Sequence, residues 1–146
     1  MNFTLENVSN NPDLWKDGDP VRPELGVSFK TYPGREVFGL RNSEGKHVAF
    51  CCVAKACAVP VDIMTLSSYT LADGKIWVPY TVWSLQKGAG REIINELLAL
   101  AREPGSLVSR VVTLSPRTEM AKNFHLRNGA VEISTNVATA NFEYQL

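Results

Sequence analysis

The most constraining feature of this sequence is a strand that runs directly into a glycine-rich turn and then into a helix. Residues 75–85 are rich in aromatic and β-branched side chains and predict a strand, with a bulge or splayed edge near Pro79. Residues 89–102 carry apolar side chains at the spacing of one helical face and predict a helix about 21 Å long. Pro104 and Gly105 end it. A strand, turn and helix in this order require a sheet with a helix packed against it.

The turn between these elements is a candidate anion site. The first amides of a helix have no helical partners, and the helix dipole favours an anion there. Glycines let a phosphate approach the backbone closely, so a pyrophosphate is the ligand we expect. The alternative is a glycine turn that only packs the helix on the sheet. The predicted binding residues are Val82, Trp83, Ser84, Gln86, Lys87, Gly88, Ala89, Gly90 and Arg91.

The remaining patterns place these elements in a single α+β domain spanning residues 1–146. Residues 1–26 contain several prolines and glycines and predict an irregular N-terminal arm, with a short helix near residues 12–16. Ser115 and Pro116 predict the cap and first turn of a second helix that ends at Asn128-Gly129. Further strands are predicted over residues 27–30, 36–41, 47–55, 109–114, 130–137 and 139–144, with a short helix over residues 61–68.

Composition argues against several classes of protein. Lys plus Arg and Asp plus Glu are 15 each, and this zero net charge argues against a nucleic-acid partner. The apolar runs are far shorter than the ~20 residues of a membrane span, and the first residues show no signal-peptide pattern. The three cysteines make a poor disulfide framework, so we expect a cytoplasmic protein, with Cys51 and Cys52 on opposite faces of a strand. Only two histidines are present, and no metal site is predicted.

The glycine turn resembles the R/Q-x-x-G-x-G/A pyrophosphate loop of the GNAT acyltransferase superfamily. Gly88 and Gly90 match its two small positions, whereas Leu85 stands where that motif has Arg or Gln. The order of elements from residue 27 onward is also similar. The resemblance implies a GNAT-like fold, a mixed and mostly antiparallel sheet flanked by helices. It also implies coenzyme A or an acyl-CoA as co-substrate, with the pantetheine arm entering where strand 75–85 splays from its neighbour.

A narrower resemblance is to the catalytic domain of malonyl-CoA decarboxylases. Three stretches carry it: Y-T-V-W-S-L-Q-K-G-A at residues 80–89, L-S-P at 114–116 and N-F-H-L-R-N-G-A-V at 123–131; N-F-E-Y at 141–144 fits more loosely. This resemblance implies that Ser115 and His125 are a catalytic pair. The sequence has no counterpart of that family's large helical N-terminal domain, and only a few residues separate L-S-P from N-F-H-L.

His125 is a candidate catalytic residue on its own chemistry as well, because histidine exchanges protons near neutral pH. Its helix also carries Met120, Ala121 and Phe124, so its position is neither plainly core nor plainly surface. The alternative role for His125 is to satisfy a backbone carbonyl. The alternative for Ser115 is a helix cap, which is compatible with catalysis.

Three functions follow as hypotheses. The leading one is an acyltransferase that moves an acetyl or similar group from CoA to an unidentified amine, on a small molecule or a protein. In it, amides near residues 82–84 polarise the thioester, and His125 protonates the leaving thiolate or relays a proton. The first alternative is a malonyl-CoA decarboxylase-like enzyme in which Ser115 and His125 manage an enolate. The second is a non-catalytic CoA-binding or assembly domain. A homodimer remains open.

Overall fold

The computed structural model describes residues 2–146 and contains one mixed sheet with helices on both faces. The strands are Thr4–Asn7 (β1), Arg35–Arg41 (β2), His47–Ala56 (β3), Ile76–Ser84 (β4), Arg110–Val112 (β5), Ser115–Pro116 (β6), Val131–Thr135 (β7) and Thr139–Tyr144 (β8). The helices are Val27–Lys30 (α1), Ile63–Tyr69 (α2), Ala89–Ala101 (α3) and Glu119–Arg127 (α4), with a 3-10 turn at Pro12–Leu14.

The sheet is antiparallel except where β4 meets β5. Its order is β1-β2-β3-β4-β5-β8-β6, and β7 pairs with β8 as well. The parallel pair β4–β5 follows from the chain path, since α3 carries the chain back along the sheet between them. This arrangement confirms the predicted mixed, mostly antiparallel sheet flanked by helices. None of the helices within residues 2–146 has the length and apolar character needed to span a membrane.

Two apolar cores lie on the two faces of the sheet. On one face, α3 buries Ile93, Ile94 and Leu97 against β2, β3 and β4, as its periodicity predicted. On the other face, Trp15 and Leu66 pack with side chains of the same strands. Cys51 belongs to the first core and Cys52 to the second, and both thiols are fully buried. The prediction that these adjacent cysteines face opposite sides of a strand is therefore confirmed.

Strands β4 and β5 separate soon after they begin, and this separation positions the site. They pair only at Ile76–Arg110 and Trp77–Val111. One further backbone hydrogen bond joins the Leu114 amide to the Pro79 carbonyl at 3.0 Å. The pairing of β4 with β3 shifts register beside Tyr80, so the bulge predicted near Pro79 is present. Beyond Pro79 the edge of β4 that faces away from β3 has no partner strand among residues 2–146.

Residues 2–26 are mostly irregular but include β1, which forms an edge strand on β2, with Leu5 opposite Leu40. One prediction for the N-terminal third is wrong. Residues 27–30 form the single turn of α1 rather than a strand. The Lys30 ammonium is drawn to Asp19 Oδ2 at 2.7 Å in a buried pair, and this tertiary contact outweighs the local strand preference of the segment.

The predicted start of the second helix is also wrong. Ser115 and Pro116 form the short strand β6, opposite Ala140 and Thr139 of β8, and do not cap a helix. Helix α4 begins three residues later, where Thr118 Oγ1 accepts a hydrogen bond from the Ala121 amide at 3.1 Å. Thr118 caps the helix in place of Ser115, because Ser115 is held in the pairing with β8.

Candidate active site

A cleft of about 470 Å³ opens where β4 leaves β5. Backbone and side chains of β4 form one wall, β6 and α4 form the other, and the arm before α1 contributes the far end. The lining is mostly apolar, and no Asp or Glu side chain among residues 2–146 takes part in it. The residues that line it are Pro20, Val21, Pro79, Tyr80, Thr81, Val82, Trp83, Ser84, Gly90, Ser115, Pro116, Thr118, Met120, Ala121, Phe124 and His125.

The amides of β4 bring backbone donors to the first wall. The Leu85 amide donates to the Val48 carbonyl at 2.8 Å and therefore points toward β3. Because backbone direction alternates along a strand, the amides of Val82 and Ser84 point the opposite way, into the cleft. The Trp83 ring instead packs in the second core, 5.2 Å from the Phe50 ring. Of these three predicted binding residues, Val82 and Ser84 present amides to the cleft and Trp83 anchors the strand.

The glycine turn leaves several amides free at the mouth of the cleft. The Ala89 amide donates to the Gln86 carbonyl at 3.1 Å, and the first helical bond runs from Glu92 to Gly88. Within residues 2–146 the amides of Gln86, Lys87, Gly88, Gly90 and Arg91 have no backbone or side-chain acceptor. A cluster of unpaired amides at a helix N-terminus is suited to an anion with several oxygens, such as a pyrophosphate.

Glycine is required at positions 88 and 90 of the turn for two different structural reasons. Gly88 has φ = +84°, a conformation that side chains disfavour, and it ends the turn just before α3. Gly90 is needed for close packing, because a Cβ there would lie 3.1 Å from Cε1 of Phe124. The side chains of Lys87 and Arg91 are exposed beside the turn, so they are free to meet phosphates. Leu85, in the position where the loop motif has Arg or Gln, is also exposed.

His125 lies in the second wall, with its ring fixed by aromatic neighbours. The imidazole stacks on the Phe142 ring at 5.3 Å, and Nδ1 lies 2.7 Å from the Tyr144 hydroxyl. Burial lowers the pKa of His125 to about 4, so the ring is neutral at physiological pH. Burial also raises the pKa of Tyr144, which keeps that hydroxyl protonated.

The hydrogen bond to Tyr144 also selects the tautomer of His125. The phenolic hydrogen has Nδ1 as its one acceptor within residues 2–146, so we assign Tyr144 as donor and Nδ1 as acceptor. The ring proton then sits on Nε2, which has no hydrogen-bond partner in the same residues. Because His125 lines the cleft and Nε2 is not a fully buried unpaired atom, we infer that the ring offers the cleft a neutral N–H donor.

Ser115 lies in the same wall, although it does not cap a helix. Its side chain is buried, and Oγ donates to Thr113 Oγ1 at 2.8 Å. The hydroxyl oxygen keeps its lone pairs for a water or a substrate in the cleft. Both predicted catalytic residues therefore line one cleft, together with the free amides of β4.

Sequence reasoning missed three residues that support this site. Tyr144 orients His125, and its only signal was its place in the loosely matching N-F-E-Y segment. Asp19 and Arg22 lie in the arm that was predicted to be irregular, and both are buried beside β4. A charged residue flanked by prolines in a loop carries no periodic signal, so burial of these two side chains could not be inferred from the pattern.

The lowered pKa of His125 predicts how stability depends on pH. An unfolded histidine has a pKa of about 6.5, so between about pH 6.5 and pH 4 the unfolded chain binds a proton that the folded chain does not. Acidification in this window therefore favours unfolding. From pH 7 to pH 4.5, we expect His125 to contribute a loss of roughly 2–3 kcal/mol. Urea unfolding of the protein and of His125→Gln at both pH values measures it. An equal loss in both proteins would contradict the assignment.

Comparison with known proteins places this geometry in a recognised fold. The malonyl-CoA decarboxylase of Agrobacterium vitis is 19% identical with a TM-score of 0.66, over 87% of this chain and 37% of that one. The Campylobacter jejuni N-acetyltransferase PseH, in complex with acetyl coenzyme A, is 12% identical with a TM-score of 0.64, over 99% of each chain. The GNAT-like decarboxylase GphF, in complex with isobutyryl-CoA, is 11% identical with a TM-score of 0.73, over 99% of this chain and 98% of that one.

These neighbours define the class of the protein by its fold. The chain has the GNAT fold, and the predicted resemblance is confirmed at that level. It spans about a third of the length of the malonyl-CoA decarboxylases it matches, 37% and 33% for two of them. No protein-family model matches the sequence, and no curated protein does either.

Proposed function

We propose that this protein binds an acyl-CoA in the cleft and decarboxylates a malonyl-type thioester. The observation that carries the proposal is that the His125 ring and the Ser115 hydroxyl line one mostly apolar cleft, which no carboxylate side chain of residues 2–146 lines. With the tautomer assigned above, His125 Nε2 is a neutral N–H donor. The similarity to malonyl-CoA decarboxylases in the segments around these two residues points the same way. This reverses the order of the two catalytic hypotheses derived from the sequence.

Decarboxylation needs stabilisation of an enolate. When the bond between the α carbon and the carboxylate carbon breaks, CO₂ leaves and the electron pair moves onto the thioester oxygen. A neutral N–H donor and backbone amides are suited to that developing charge. The α carbon then takes one proton, so a malonyl thioester and a proton give an acetyl thioester and CO₂. The Ser115 hydroxyl can turn from Thr113 toward the substrate and relay that proton from water.

The apolar lining favours the same reaction. A substrate carboxylate that leaves water for an apolar cleft is destabilised, whereas departing CO₂ is uncharged. A carboxylate side chain in the cleft would repel the substrate's own, and within residues 2–146 the lining has none. The absence of such a group therefore suits a malonyl-type substrate.

Transfer to an amine is the second candidate, favoured by the overlap with the acetyltransferase PseH over 99% of each chain. The site serves that reaction less well. An amine that is protonated at neutral pH must lose a proton before it attacks, and a histidine with a pKa of about 4 is a poor base. Protonating a thiolate also calls for a stronger acid than neutral imidazole. Transfer in this cleft would therefore need a base other than His125.

Binding of CoA at the glycine turn is tested by reversing its two exposed charges. The double variant Lys87→Glu, Arg91→Glu should bind CoA about ten- to a hundredfold more weakly, because two attractive contacts with phosphates become repulsive. The matched control is Lys75→Glu, Arg102→Glu, which changes the net charge equally at exposed sites just before β4 and just after α3, at the ends of these elements opposite to the turn. Isothermal calorimetry measures both. Equal affinities in the two double variants would place the phosphates elsewhere.

The choice of reaction is tested by supplying malonyl-CoA with and without a mixture of primary amines. The proposal expects CO₂ and acetyl-CoA at the same rate in both mixtures. Free CoA that appears only with amine, without CO₂, would establish the transferase instead. CoA binding without either product, and without transfer to amine when acetyl-CoA replaces malonyl-CoA, would leave the non-catalytic role.

A further inference from the structure

A buried arginine bridges the two strands that open the cleft. Arg22 Nε donates to the Tyr80 carbonyl of β4 at 3.1 Å, and its Nη2 donates to the Leu114 carbonyl at 2.9 Å. Leu114 directly precedes β6, so one guanidinium group bonds both walls at the point where they part. Only 8% of Arg22 is exposed.

A compact turn around Asp19 holds Arg22 in place. Asp19 Oδ1 accepts hydrogen bonds from the amides of Val21 and Arg22, at 2.8 and 3.0 Å, and from Thr81 Oγ1 at 2.9 Å. Asp19 Oδ2 accepts from Lys30 Nζ at 2.7 Å. The turn is thereby tied to β4 and to α1 at once. Both oxygens of the Asp19 carboxylate thus accept hydrogen bonds from groups other than the Arg22 guanidinium. The guanidinium group bonds the two backbone carbonyls instead.

The bridged carbonyls lie next to the groups that meet the substrate. Tyr80 is two residues from Val82, whose amide points into the cleft, and Leu114 is adjacent to Ser115. A change in the separation of these two carbonyls would therefore change the distance between the amides of β4 and the Ser115 hydroxyl. One backbone hydrogen bond, from the Leu114 amide to the Pro79 carbonyl at 3.0 Å, joins the two walls just before they part. Beyond it β4 and β6 share no ladder within residues 2–146, so the guanidinium group adds two side-chain bonds where backbone pairing ends.

We propose that Arg22 is a positioning residue that sets the width of the cleft by bridging the Tyr80 and Leu114 carbonyls, and so aligns the two walls on the substrate. The proposal rests on the function assigned above. A guanidinium group is suited to this task because its planar fork carries donors in fixed directions, whereas an ammonium group is a point charge on a flexible stem. Arg22→Lys therefore keeps the positive charge and loses the fixed two-point bridge.

The control is Arg35→Lys, at an arginine of nearly equal burial that lies away from the cleft. Arg35 is 7% exposed and donates to the Phe29 carbonyl and to Thr70 Oγ1, each at 3.2 Å. Both variants remove a buried fork and retain the charge. A purely structural role for Arg22 would make the two variants behave alike.

The experiment combines steady-state kinetics with malonyl-CoA and hydrogen exchange of the amides in segments 79–85 and 113–118. In Arg22→Lys we expect kcat to fall roughly tenfold with KM nearly unchanged, since the walls still bind substrate but no longer align on it. Exchange in both segments should accelerate. Arg35→Lys should keep the wild-type kcat and the wild-type exchange in these segments.

Wild-type kcat and wild-type exchange in a folded Arg22→Lys protein would overturn the proposal. If Arg22→Lys does not fold, Arg22→Gln takes its place, because its shorter amide cannot bridge both carbonyls and Asp19 keeps its bond from Lys30. Unchanged kcat and exchange in Arg22→Gln would overturn it equally. If the wild-type protein releases no CO₂, the proposed function fails, and the exchange comparison alone decides on Arg22.

Discussion

Replacing His125 with alanine is expected to lower kcat for decarboxylation of malonyl-CoA by about 10²–10³-fold, with CoA affinity nearly unchanged. The magnitude is that of removing one donor from a group of donors around a developing oxyanion. His125 Nε2 is the side-chain N–H that the second wall offers the cleft, and CoA phosphates would bind elsewhere, at the glycine turn. Steady-state kinetics and calorimetry on the same preparation measure both quantities.

Two further variants separate a donor from a base at this position. His125→Gln keeps a side-chain N–H, so it should retain part of the activity if the ring acts as a donor. A general base would be lost as fully in His125→Gln as in His125→Ala. His47→Ala is the matched control, because His47 lies on β3, bonded to Glu6 Oε1 at 2.8 Å, and does not line the cleft. Full activity in His125→Ala would remove the residue from the mechanism.

Replacing Leu97 with alanine is expected to lower the free energy of unfolding by about 2–5 kcal/mol. Leu97 is 1% exposed at the centre of the apolar face of α3, where it packs in the core shared with β2, β3 and β4. Loss of its isobutyl group removes buried apolar contacts and leaves a cavity. Leu71→Ala is the control, since that leucine is 49% exposed and should change stability little. Denaturant unfolding measures both variants. An equal change in the free energy of unfolding would mean that Leu97 does not lie on the buried face of α3.

The elements that were predicted well are those whose periodicity and end signals agree. Helix α3 was placed at residues 89–102 and spans Ala89–Ala101, because its apolar spacing, the preceding glycines and the following Pro104 point to one answer. Strand β4 was placed at residues 75–85 and spans Ile76–Ser84, and Pro79 marked its bulge. The local sequence alone determines the type and the bounds of such elements.

The errors arose where a distant contact decides the local structure. Residues 27–30 read as a strand, yet the buried pair of Lys30 with Asp19 holds them as a helical turn. Ser115 read as a helix cap, yet β8 pairs with it and Thr118 caps the helix instead. The residues of the candidate site show the same contrast between local signals and distant contacts. Its two candidate catalytic residues came from motifs, whereas Arg22, Asp19 and Tyr144 act through partners far along the chain.

The most direct measurement of the central claim is the isotopic content of the product formed from malonyl-CoA in heavy water. An enolate that takes its proton from solvent at the α carbon should give acetyl-CoA with one deuterium, together with one CO₂ per thioester consumed. Mass spectrometry of the product, with His125→Ala as the reference for background decay, measures both. Release of free CoA or of an acylated amine, with the malonyl group intact, would contradict the account.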